Sequence, residues 1–141
     1  MHMAPGVKIK LSAVIVAAVA KMAVGAVWYS PKVWGAKWLA LMGWNDKKLQ
    51  QRQKHLWRAY GVTFAGALLL AYFLAHCVAY MEVKTPAYGA LVGAWVWLGF
   101  VATTSLSTYL FDGRPLKLYA INQGYELVIF ALMGAILAVM L

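Results

Sequence analysis

Four long apolar runs decide most of what this chain can become. They cover residues 11–29, 57–81, 87–111 and 116–141, the first broken only by Lys21. Crossing a bilayer takes about 20 helical residues. A transmembrane barrel would instead show alternating segments of about ten residues. These runs are continuous and rich in Ala, Leu and Val, and in lipid a helix satisfies its own backbone polar groups. Hydrophobic residues make up 64% of the chain and charged residues 12%, against about 25% charged in a soluble domain. A soluble domain of 141 residues could not cover its surface with so few charges. Disorder is excluded too, because it requires low hydrophobicity. A single cysteine excludes an intramolecular disulfide framework and a multi-cysteine metal centre. The expected fold is therefore an all-α integral membrane protein. It is a four-helix transmembrane bundle, a single membrane domain over residues 1–141, with a short interfacial helix after the first span.

The connections refine this expectation. Lys8 and Lys10, an apolar stretch and Ala18-Val19-Ala20 have the form of a secretory signal. The apolar run resumes after Lys21 and reaches Trp28-Tyr29, so a retained span is expected. Ser30 suits an N-cap and Pro31 a first helical position. Trp34, Trp38 and Leu41 then recur at helical spacing before Gly43, which predicts an interfacial helix over residues 31–42. Asn45-Asp46 predict the cap of a helix beginning at Lys47. No Gly or Pro interrupts it before Gly61, so it is expected to run unbroken into the second span. Residues 82–86 predict a tight turn. Asp112-Gly113-Arg114-Pro115 predicts another, with proline at a helix start.

The formal net charge is +9, from 13 Lys and Arg against 4 Asp and Glu. The basic residues lie mainly between apolar runs, where topology signals and lipid contacts require them. No segment could form the soluble basic face of a nucleic-acid reader. The first connection holds seven Lys and Arg and the third holds two, against three on the opposite side. This bias predicts cytoplasmic first and third connections and both termini outside. Lys47, Lys48, Arg52, Lys54 and Arg58 are expected to contact anionic lipid on the cytoplasmic face.

Two ionisable residues lie deep in the spans. Lys21 is about 16 Å along the first helix and Glu126 about 15 Å along the fourth. Both fall near the middle of a hydrocarbon core about 30 Å thick. A lone charge there costs at least about 2.5–3.5 kcal/mol. Opposite charges at one depth suggest a pair within hydrogen-bond or one-water reach. Such a pair either fixes helix packing or serves a binding site. Tyr119, Asn122, Gln123 and Glu126 recur at helical spacing as a polar stripe. Thr103, Thr104, Ser105, Ser107 and Thr108 add hydroxyls in the third span. They could line a cavity with that stripe or bond their own helix carbonyls. Gly89 and Gly93 form a GxxxG pair, which serves an internal helix partner or a homo-oligomer contact. Tyr72, His76 and Tyr80 share a face beside Cys77, with too few ligands for an expected metal site. No P-loop, dinucleotide-binding glycine pattern, HExxH or Gly-x-Ser-x-Gly occurs, so no catalytic residue is assigned.

Several motifs carry a family resemblance. They are Trp28-Tyr29-Ser30-Pro31 with Trp34-Gly35 and Trp38, Trp97-Leu98-Gly99-Phe100, Phe111-Asp112-Gly113-Arg114-Pro115, Asn122-Gln123-Gly124-Tyr125 and Met133-Gly134. Together they resemble domain-of-unknown-function family 1761, small bacterial membrane proteins with about four spans. The resemblance implies a bacterial inner membrane. It carries no activity and no cofactor, and it directs attention to the Trp28 corner and the Asn122 stretch. The expected function is binding or transport of a small solute or ion through a cytoplasm-facing polar cavity. Its residues would be Lys21, Glu126, Asn122, Gln123, Tyr119, Thr104 and Trp28, and oligomers are expected because four helices enclose little space. The alternatives are a membrane-embedded enzyme acting on a lipid or lipophilic substrate, and a structural or accessory membrane protein.

Overall fold

The computed structural model describes residues 8–141. Residues 1–7, and with them the N-terminus expected outside, are not among those described. Seven α-helices follow in order. They are α1 (Leu11–Trp28), α2 (Gly35–Met42), α3 (Asp46–Lys54), α4 (Leu56–Tyr80), α5 (Pro86–Val96), α6 (Thr103–Asp112) and α7 (Leu116–Met140). A π-helical segment, Trp97–Ala102, joins α5 to α6. Four helical segments are long and apolar enough to cross a membrane: α1, α4, the continuous Pro86–Asp112 span and α7. Among the described residues there is no strand.

The central element is α7, which packs on α5, α1 and α4, while α1 also packs on α4. Small side chains make the close approaches. Ala13 and Ala17 of α1 and Ala71 and Ala75 of α4 are wholly buried, as are Ile129, Met133 and Leu137 of α7. Between α5 and α7 the approach is backbone to backbone. A Cβ at Gly89 would overlap the Gly134 carbonyl, and one at Gly93 would overlap that of Phe130. The GxxxG pair is thus occupied inside the chain. Of the two roles left open for it, an internal helix partner or a contact between copies, the structure has the internal one, with both glycines buried against α7.

The bundle is packed at one end and open at the other. In α4, Ala67, Ala71, Leu74, Ala75 and Val78 are buried, whereas from Trp57 to Gly66 only Phe64 is even half-buried. Nothing lies within 4 Å of where side chains at Gly61 and Gly66 would begin. In α6 only Tyr109 is buried. The second span therefore leaves the bundle toward the basic end, which carries α2, α3 and the Asp112–Pro115 turn.

That end differs from expectation twice. The helix expected over residues 31–42 begins only at Gly35. Ser30 does not cap it, because the Ser30 hydroxyl donates back to the Val27 carbonyl at 2.8 Å and closes the end of α1. The chain then folds tightly, with Gly35 N–H donating to the Ser30 carbonyl at 2.9 Å. Only glycine fits there, since a Cβ would strike the Tyr29 and Ser30 carbonyls. Secondly, the helix begun near Lys47 does not run on into the span. Asn45 caps α3 as expected, accepting from Lys48 N–H at 2.8 Å. The helix then breaks at His55 (φ −113°, ψ 13°). No Gly or Pro causes the break. Arg52 and Lys48 lie over Trp38 and Trp44, contacts that tie α3 back to α2 and its following turn.

Candidate functional site

The inner face of α7 changes character along its length. Met133 and Leu137 are wholly buried in the packed half. Two turns toward the basic end the same face presents Glu126, then Asn122 and Tyr119, all half-buried. On α1 the buried face of Val14, Ala17 and Ala18 continues to Lys21, also half-buried. The two helices match in level there, because the Tyr125 hydroxyl donates to the Lys21 carbonyl at 3.2 Å. Lys21 and Glu126 thus lie on inner faces at one depth, where α4 has begun to leave.

They do not close into a direct ion pair. The only ion pair among the described residues joins Arg114 and Asp112 at 3.4 Å, on the surface. Of the two arrangements expected, hydrogen-bond reach or one-water reach, the direct one is absent. The Lys21 ammonium lies over the Tyr125 ring instead, 5.5 Å from its centroid. The Glu126 carboxylate accepts no hydrogen bond from any described residue.

Around the pair the polar groups are firmly tied. Tyr29 donates to Asn122 Oδ1 at 2.8 Å, and Asn122 Nδ2 donates to the Tyr109 hydroxyl at 2.6 Å. One amide thereby joins the ends of α1, α6 and α7. Trp28 Nε1 donates to the Ile121 carbonyl at 3.0 Å. Its ring lies over Gly124, where a Cβ would come within 3.1 Å of the indole. Gln123 faces another way. It is buried and accepts from Trp97 Nε1 at 2.9 Å. Tyr119 donates to the Ala102 carbonyl at 2.7 Å. Trp97 and Ala102 are the two ends of the π-helical segment, so α7 grips that segment at both ends. π-Helical turns loosen the regular backbone pairing and recur at functional sites.

The expected stripe therefore divides. Glu126, Asn122 and Tyr119 share the inner face, while Gln123 serves the third span. Thr104 does not join them. It is exposed, and its hydroxyl donates to its own helix at Phe100 (2.7 Å) and Val101 (3.1 Å). Tyr29, Tyr109, Trp97 and Tyr125 were not among the expected site residues. Tyr29 and Tyr125 fall within the Trp28 and Asn122 motifs, which was the available signal. Trp97 opens another of those motifs, Trp97-Leu98-Gly99-Phe100, but nothing in the sequence marked Tyr109.

Aromatic rings continue from this face to the basic end. Tyr125 and Tyr29 meet at 5.3 Å, Tyr29 and Trp38 at 5.9 Å, and Trp38 and Trp44 at 5.4 Å, all edge to face. Lys47, Lys48, Arg52, Lys54 and Arg58 are all exposed. At the opposite end a depression of about 500 Å³ lies between Lys8, Val78, Glu82, Lys84 and Leu141, away from the polar face. His76 is 4% exposed, and neither ring nitrogen has a hydrogen-bond partner among the described residues. Its ring meets Tyr72 at 4.8 Å.

Together these features define a small helical membrane protein whose inner face turns polar where its second span leaves the bundle. The family model described as "Protein of unknown function (DUF1761)" matches residues 12–138, and the chain belongs to that family. The resemblance read from the motifs is confirmed. No curated protein and no solved structure matches the chain.

Proposed function

We propose that the protein binds or transports a small solute or ion at the polar inner face of α1 and α7. One observation carries this reading. Lys21 and Glu126 lie at one level on adjoining inner faces, half-buried and without a direct ion pair. Opposite charges at membrane depth that do not close into an ion pair are costly. A ligand, or water admitted where the second span leaves the bundle, compensates them. Asn122 and Tyr119 extend the face toward the basic end. Trp28, Tyr29 and Tyr125 wall it with rings. Gln123 supports the fold beside it, and Thr104 is no part of it.

In this reading the basic end faces the cytoplasm of a bacterial inner membrane, as the Lys and Arg bias requires. The working unit is a homo-oligomer, because one bundle encloses little space. Its contacts use faces other than Gly89 and Gly93. The test is thermal unfolding of detergent-solubilised protein against a panel of small amines, carboxylates and amino acids. At least one class should raise the midpoint of the wild type, and not that of Glu126→Gln or Lys21→Met. If no class does so, the accessory role takes its place.

A further inference from the structure

The corner between α2 and α3 holds cations in an unusual way. The Arg52 guanidinium carbon lies 5.6 Å from the Trp38 ring centroid and 5.9 Å from that of Trp44. The Lys48 ammonium, one turn earlier, lies 5.8 Å from the Trp44 ring. The two indoles meet edge to face at 5.4 Å. Asp46 is the only acidic residue between positions 31 and 81, and it makes no ion pair among the described residues. The Arg52 side chain likewise makes no ion pair or hydrogen bond with any described residue.

From this we infer that Arg52 and Lys48, seated on Trp38 and Trp44, form a binding site for the phosphate of an anionic phospholipid head group. A guanidinium held over indole rings by cation–π attraction spends none of its N–H donors on another protein group. Those donors form a fork that matches two phosphate oxygens. The rings also restrict the side chain in advance, so little further freedom is lost when a ligand arrives. Lys48 adds a second positive charge beside the fork. Lipid is the source because the corner lies in the short connection between two apolar spans, α1 and α4, and that connection exposes Val33, Trp34 and Leu39. Tryptophan prefers the depth of lipid head groups. Lys47, Lys54 and Arg58 have no ring seat and add only a diffuse attraction.

The test uses the full chain in detergent, titrated with short-chain phosphatidylglycerol and read by native mass spectrometry. Arg52→Lys keeps the charge and loses the fork. It should weaken phosphatidylglycerol binding about tenfold, equivalent to ~1.4 kcal/mol. Trp44→Leu changes no charge but unseats both cations, and should weaken binding to a similar degree. Lys54→Gln removes a charge away from the rings and should change binding less than about twofold. Phosphatidylcholine binding should be unaffected by all three. Full binding by Arg52→Lys, or an equal loss in Lys54→Gln, would show a diffuse charge effect and overturn the site. Displacement of the lipid by millimolar inorganic phosphate would overturn the lipid as its source. None of these outcomes depends on a solute bound at Lys21 and Glu126.

Discussion

Replacing Gly93 by alanine tests the packing on which the rest of the molecule depends. A Cβ there would overlap the Phe130 carbonyl oxygen and lie 2.6 Å from its carbonyl carbon, where ordinary contact begins at 3.4 Å. The obstacle is backbone, which cannot rotate away, so α5 must retreat from α7 by about 1 Å. The retreat loosens well-buried neighbours, with Val92 5% exposed, Phe130 3% and Ala138 2%. Overpacking of this kind costs about 1–3 kcal/mol, and an immovable backbone places Gly93→Ala at the upper end. Gly66→Ala is the internal control. Nothing lies within 4 Å of its new methyl, and an exposed helical Gly→Ala change gains up to about 1 kcal/mol. Unfolding in detergent micelles, followed by circular dichroism, should separate the two variants in opposite directions from wild type. The reasoning is refuted if Gly93→Ala unfolds like wild type. It is equally refuted if the substitution alters only the association of copies, since the glycine pair would then face a second molecule.

Other substitutions probe single contacts. Asn122→Leu strands the hydroxyls of Tyr29 and Tyr109 and should destabilise by about 2 kcal/mol, roughly 1 kcal/mol per lost bond; a loss under about 0.5 kcal/mol would mean that water already serves these groups. His76→Phe should be neutral or stabilising by up to about 1 kcal/mol, because neither ring nitrogen has a partner among the described residues to lose. Marked destabilisation in the same unfolding assay would reveal a partner for the imidazole. A cysteine introduced by Gln50→Cys, in a Cys77→Ser background, should resist impermeant thiol reagents applied outside intact cells. Ready labelling would invert the proposed orientation.

The membrane-spanning segments were legible because hydropathy over a whole helix outweighs any local signal. Asn45 was legible as a cap because its side chain acts within its own turn. What depends on tertiary contact was not. The break at His55 has no local breaker in the sequence and goes with ring contacts from Trp38 and Trp44. Ser30 and Pro31 have the chemistry of a helix start, but the hydroxyl found a nearer acceptor at Val27. The π-helical segment left no mark in the periodicity of the third span. Its ends are fixed by Tyr119 and Gln123 on another helix. At the candidate site, depth alone brought Lys21 and Glu126 to one level. Depth could not show that the Tyr125 ring would receive the ammonium.

The account stands on water reaching the inner face of α7 at Glu126 while the packed half stays dry. In a Cys77→Ser background, Asn122→Cys, Glu126→Cys and Met133→Cys would each be exposed to a small aqueous methanethiosulfonate reagent from the basic end. Asn122→Cys should react fastest and Glu126→Cys more slowly. Met133→Cys, at a position wholly buried between helices, should not react. A Glu126→Cys variant as inert as Met133→Cys would mean that the face is sealed and no ligand reaches it.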